Sequence, residues 1–262
     1  MKKTFFAIFL TFIFSSISFA TIAAEGFVNP SFKKLEDTVR DKHGINEILE
    51  RLSQMRSFRE WPTELNPELK LYVAIEWLKK QHTREAFELL STLNDTDVDG
   101  DLLRFYLGTA LVGLGYSEPF VPIAQYFENK MPEDPDYLFL KSSGLALERK
   151  YPEAIQTLTT VIQQSGKSGK AYLQRGILYL YALSHELAYK DLKKAIKSLP
   201  RNEVYYRQMA YLQAGLIELK FYGDAKRAKK IFQMGIKLDP SSTLVTELKQ
   251  RVDLEGLSLG NK

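Results

Sequence analysis

The sequence predicts an all-α protein, a solenoid built from antiparallel helix pairs. Two observations carry that prediction. Apolar residues recur at helical spacing along the chain, and one pattern of small, large and helix-breaking residues returns every 34 residues. In SHELAYKDLKKAIKSLP (184–200), Ala188, Leu192, Ala195, Ile196 and Pro200 form one stripe with a stop at its end. In YPEAIQTLTTVIQQSG (151–166), Ala154, Leu158, Val161, Ile162 and Gly166 occupy the same five offsets, 34 residues earlier.

The elements follow in chain order. Residues 1–24 read as a secretory signal peptide: Lys2 and Lys3, an apolar run from Phe5 to Phe14, then small residues up to Ala20, Ala23 and Ala24. The apolar run is shorter than the ~20 residues of a spanning helix. Cleavage after one of those alanines is expected, with retention as an N-terminal membrane anchor the alternative. Residues 25–66 hold two helix-like pieces, SFKKLEDTVRDKHG and INEILERLSQMRSF, that do not fit the repeat frame. They either cap the array or lie in its groove. The repeat domain spans 67–257, in frames 67–100, 101–134, 135–168, 169–202 and 203–242 plus a capping helix at 243–257; residues 258–262 form a tail.

Within each frame the slots have physical roles. The eighth reads Ala74, Gly108, Ser142, Gly176 and Ala210, always small; the twentieth reads Ala86, Phe120, Ala154 and Ala188. Small residues in both slots let the two helices of a pair approach closely. The large residue in slot twenty-four fills the space beside that contact. Proline or glycine in slot thirty-two ends the second helix. Frame two departs from the pattern: Phe120 replaces the small residue, and Pro119 and Pro122 are expected to delay its second helix by a residue or more. In frame five the second half arrives six residues late, at Ala228, Phe232, Gly235, Ile236 and Pro240, so a longer first helix or a wider turn is expected. Each pair buries its apolar face only by stacking on its neighbours.

These residues resemble the tetratricopeptide-repeat (TPR) family, whose period is the one seen here. Frames three and four carry the likeness most fully, in the Y-x-E-A of Tyr151 to Ala154 and in Leu138, Tyr172, Gly176, Tyr179, Ala188, Ala195 and Pro200. The resemblance implies a right-handed superhelical solenoid with protein or peptide binding on a concave groove. It places Leu71, Phe105, Phe139 and Leu173 in slot five and Ile75, Ile177 and Tyr211 in slot nine of that groove wall, with Tyr181 in slot thirteen. The alternative for these residues is packing, against residues 25–66 or within a tight superhelix. The lysine and asparagine clamp with which some family members hold a terminal carboxylate is missing.

A second surface is basic. Lys190, Lys193, Lys194 and Lys197 share one helix face, and Lys226, Lys229 and Lys230 follow one repeat later beside Arg227. A solvated helix face explains the spacing; attraction to an anionic membrane, to a cell-wall surface or to an acidic partner is the functional alternative. Charge is polar along the chain. Residues 25–134 hold 13 Lys and Arg against 20 Asp and Glu, and residues 135–262 hold 21 against 12.

Catalytic chemistry finds no support in the sequence. There is no cysteine, no G-x-S-x-G elbow, no phosphate-cradling glycine loop and no H-E-x-x-H. His43, His82 and His185 fall in unrelated places. NDTDVDGD (94–101) has the alternate acidic oxygens of a calcium loop, but Tyr106 stands where the bidentate glutamate belongs, so it reads as a solvated turn. Zero cysteines also exclude disulfides and a lipid-accepting thiol. The expectation is a non-catalytic interaction scaffold of the cell envelope, exported and periplasmic. It needs no metal or cofactor, a protein or peptide is its partner, and neither nucleic acid nor a small-molecule substrate is indicated.

Overall fold

The computed structural model describes residues 34–39, 66–165, 168–242, 244–246 and 249, and all regular secondary structure among them is helical. The signal segment, most of 25–66 and most of the capping helix at 243–257 lie outside the described residues. The helices of residues 66–242 are α1 (Pro67–Lys79), α2 (Thr83–Leu90), α3 (Gly100–Gly113), α4 (Val121–Lys130), α5 (Pro135–Leu147), α6 (Tyr151–Ser165), α7 (Gly169–Tyr181), α8 (His185–Ser198), α9 (Val204–Lys220) and α10 (Ala225–Ile236). The chain divides into two compact units, Met1–Glu148 and Arg149–Lys262, at the turn inside the third repeat. Within the units the helices pair as the frames require: α1 with α2 and α3 with α4 in the first, α7 with α8 and α9 with α10 in the second.

First helices begin where the chain supplies caps. The carboxylates of Asp99 and Asp134 and the amide oxygen of Asn66 accept from backbone N–H groups of α3, α5 and α1, at 2.9, 2.9 and 2.8 Å. Pro67 and Pro135 sit in the first turns of α1 and α5, where a missing N–H costs nothing. The segment after each first helix then passes through one left-handed residue. Gln81 (φ 68°), Gly115 (81°), Arg149 (60°), Leu183 (56°) and Gly223 (71°) occupy equivalent positions. In the first, second and fourth repeats the next amide reaches back six-to-one, from His82 to Trp77, Tyr116 to Leu111 and Ser184 to Tyr179. This is the bond of a Schellman ending.

Both irregular frames resolve physically. In frame two the helix α4 starts at Val121, whereas α2, α6 and α8 start four slots earlier in their frames. Pro119 and Pro122 account for the delay. Phe120 is buried there because glycines make room for its ring: a Cβ at Gly108 would meet it at 3.2 Å and one at Gly144 at 2.3 Å. In frame five α9 runs 17 residues, and α10 starts six slots late. The close contact between slots eight and twenty is seen in frame four, where a Cβ at Gly176 would lie 3.3 Å from the Ala188 carbonyl and 3.1 Å from Leu192 Cγ.

In the first unit α3 packs on α1, α2, α4 and α5; in the second α7 packs on α6, α8 and α9. First helices are therefore enclosed on several sides, and second helices carry the amphipathic outer faces.

Candidate functional site

That enclosure decides the expected groove wall. Of the eight residues assigned to it, Leu71, Ile75, Leu173 and Ile177 are fully buried, and Phe105, Phe139 and Tyr211 are buried to within a few per cent. The expectation of large apolar side chains standing open on a groove is therefore corrected. Phe105, for example, meets Phe127 of α4 and its neighbour Tyr106 edge-to-face, with ring centroids 6.3 and 5.3 Å apart. The physical reason is the stacking itself: slots five and nine face the adjoining helices before they can face a ligand. Tyr181 alone among the eight is half-buried, and it stacks on Tyr151 at 5.2 Å with the rings 12° from parallel.

The basic residues behave differently. Lys190, Lys193, Lys197, Lys226 and Lys230 are exposed, and Lys194 and Lys229 are half-buried. Lys193 lies 4.5 Å over the Tyr189 ring and Lys194 4.9 Å over Tyr172, cation–π placements that hold the ammonium groups at the surface of α8. Glu186 and Asp224 are the exposed carboxylates nearest in sequence to these lysines, and Asp224 is engaged in capping α10 through the Arg227 amide at 2.8 Å.

Beside the lysines lies a feature that the sequence reading missed. Leu183 is 66% exposed, Leu187 47%, Phe221 48% and Tyr222 46%. Leu183 stands in the α7–α8 turn, and Phe221 and Tyr222 follow α9. Ring contacts join the two places: His185 to Phe221 at 4.3 Å, Tyr189 to Tyr222 at 5.9 Å and Phe221 to Tyr222 at 5.2 Å. Burial holds the His185 imidazole below its ordinary pKa, which favours its neutral form against the Phe221 ring. Burial, and a hydrogen bond to Glu218, push the Tyr189 phenol up to about 12. A signal for this patch was present in the sequence: leucine occupies the turn slot that holds glycine in two sibling repeats.

Other polar groups have structural work. Arg175 forms a two-pronged ion pair with Asp191, Nε to Oδ2 at 2.6 Å and Nη2 to Oδ1 at 3.1 Å, and donates from Nη1 to Thr159 Oγ1 at 2.8 Å. One side chain thus ties α6, α7 and α8 together. Gln208 donates to the carbonyls of Gly235 and Asp239 at 3.2 and 2.8 Å and accepts from Ser242 Oγ at 2.9 Å, fixing the chain beyond α10. In the acidic turn Asp95 pairs with Arg104 while Asp99 caps α3. Among the described residues no helix is long and apolar enough to cross a membrane.

In structure the chain is similar to a thermophilic TPR protein of Thermus thermophilus, TTC0263, with a TM-score of 0.61 at 15% identity over 73% of this chain and 99% of that one. It is also similar to MamA of Desulfovibrio magneticus RS-1 from residue 41 onward, with a TM-score of 0.48 at 19% identity over 70% of this chain and 99% of that one. No family model and no curated protein matches the sequence. The likeness to TTC0263 shows the fold: these are TPR-like helix pairs.

Proposed function

We propose that the protein is a non-catalytic interaction scaffold that works in the periplasm after export and binds a protein or peptide through its repeats. The observation that carries this reading is the repetition itself, with paired helices recurring in each unit and polar side chains engaged in caps, ties and ion pairs. Fold analogy supplies the partner class, because repeat arrays present extended surfaces to other chains. Of the eight groove-wall residues, Tyr181 is the one with exposed surface to offer a partner; the other seven act by holding the helices that present it.

Cross-linking in intact cells, followed by binding measurements with the purified captured protein, tests the scaffold. Tyr181→Ala is expected to weaken that binding about tenfold, the effect of losing one aromatic anchor, with little change in melting. Phe139→Ser is expected to act instead through stability, because its ring is 1% exposed. Partner affinity unchanged by Tyr181→Ala would remove the groove from the reading. Export is tested by mass spectrometry of a periplasmic extract, where a chain beginning after Ala20, Ala23 or Ala24 is expected; full-length chain confined to the membrane fraction would replace this with a tethered scaffold.

A further inference from the structure

We propose that the turn edge of the second unit docks on an anionic lipid bilayer, its apolar tips entering the interface while the surrounding cations meet the head groups. This is independent of the scaffold reading, since it uses other residues and another kind of partner.

The apolar part comes first. Leu183, Leu187, Phe221 and Tyr222 are each 46–66% exposed, and all stand at or within one helical turn of the two intra-repeat turns that His185 and Phe221 bring together. Soluble monomers seldom leave such a group wet without a partner for it. Leu183 is the sharpest case. It holds a left-handed backbone, φ 56°, which disfavours a side chain with a Cβ; the equivalent sites hold glycine at Gly115 and Gly223 and polar side chains at Gln81 and Arg149. Folding alone favours glycine or asparagine there. Leu183 is the apolar one of the three side chains held in this position, and at 66% exposed it suits an apolar surface outside the fold.

The cations give the partner its chemistry. Lys190 and Lys193 lie one to two turns along α8 from Leu187, and Lys226 and Arg227 open α10 just after Tyr222. At 1.5 Å of rise per residue, Lys190 and Lys193 stand roughly 5–10 Å along α8 from Leu187. That is the depth separation between buried side chains and charged head groups in interfacial binding. Among the described residues Lys190, Lys193, Lys226 and Lys230 have no carboxylate within ion-pair distance; Arg227 shares Glu218 at 3.1 Å. The apolar residues sit on turns and a first helical turn with about half or more of each side chain open, where a fluid surface can reach them.

The chain contains no cysteine, so Leu187→Cys creates a unique site for an environment-sensitive dye on the full chain. Vesicles containing phosphatidylglycerol are expected to shift its emission to the blue. Pure phosphatidylcholine vesicles should leave it unchanged, and added salt should reverse the shift. A dye at Glu88→Cys, on exposed α2, should not respond. Leu183→Asn with Phe221→Ser should weaken the response of the Leu187→Cys dye about tenfold, the loss expected from removing apolar groups from the interface. Asparagine tolerates the left-handed turn, and a cooperative melt no lower than the parent's would establish that this variant is folded. No shift at Leu187→Cys, an equal shift on both lipids, or full retention of the shift in the variant would each overturn the proposal. A shift without vesicles that grows with protein concentration would assign the edge to a second copy, and a shift with polyglutamate matching that with vesicles would assign it to an acidic chain; either overturns lipid docking.

Discussion

A methyl group at Gly144 would sit 2.3 Å from Phe120 Cε1, closer than any real contact, while the ring that causes this is itself 4% exposed. The two residues belong to consecutive repeats and compensate one another. Gly144→Ala is therefore expected to cost about 1–3 kcal/mol by overpacking. In a Phe120→Leu background the same change should cost measurably less, because the smaller side chain leaves room. A double-mutant cycle by urea unfolding checks this, and additive effects would place the ring elsewhere. Leu183 gives the opposite sign. Its left-handed backbone strains a leucine, and its exposure leaves little packing to lose, so Leu183→Asn should raise stability by roughly 0.5–1 kcal/mol. A thermal melt reads the change directly.

At the scale of elements, the tie between α6, α7 and α8 depends on one ion pair with little access to water. The side chains of Arg175 and Asp191 are 12% and 5% exposed. Arg175→Met would strand a buried carboxylate, and a loss of about 3–5 kcal/mol is expected. Replacing both partners, Arg175→Met with Asp191→Leu, should recover most of it, since the uncompensated charge is gone. Chemical unfolding of the three variants decides between a tie that needs its charges and one that needs only its shape. The buried first helices make a parallel statement about packing. Phe139→Ala should cost about 3–5 kcal/mol, as for other buried aromatic deletions, because the Phe139 ring of α5 is buried and not on an open wall.

For the molecule as a whole, pH dependence should appear on the alkaline side. Burial raises the phenol pKa values of Tyr106, Tyr137 and Tyr181, and brings that of Tyr189 to about 12; hydrogen bonds to Glu128 and Glu218 add to this at Tyr137 and Tyr189. Each phenol holds its proton more tightly folded than unfolded. Their contribution is complete below the unfolded value of about 10 and is lost as pH rises through the folded values. Melting temperature should hold to about pH 9 and fall above pH ~10. Tyr137→Phe should make that fall shallower. On the acid side, hydrogen bonds from Lys141 and Tyr137 lower the Glu128 carboxyl pKa, so its small contribution is present at neutral pH and fades as pH drops through its folded value.

The repeat was legible in the sequence because close helix contact demands small side chains at fixed intervals, and proline and glycine mark where helices stop. Ala74, Gly108, Ser142, Gly176 and Ala210 spell out one helix face, and the late start of α10 could be counted from the spacing alone. The delay of α4 followed from Pro119 and Pro122 in the same way. What a slot faces could not be read so simply. The apolar residues of slots five and nine have the same composition whether they line an open wall or fill the space between helices; only the packing of each first helix against its neighbours, as of α3 in the first unit and α7 in the second, decides for burial. The exposed edge was hidden for the converse reason. His185 and Phe221 lie 36 positions apart and come into ring contact only once two turns fold side by side. Local patterns report what each helix needs from its neighbours, and exposure is settled by which neighbours arrive.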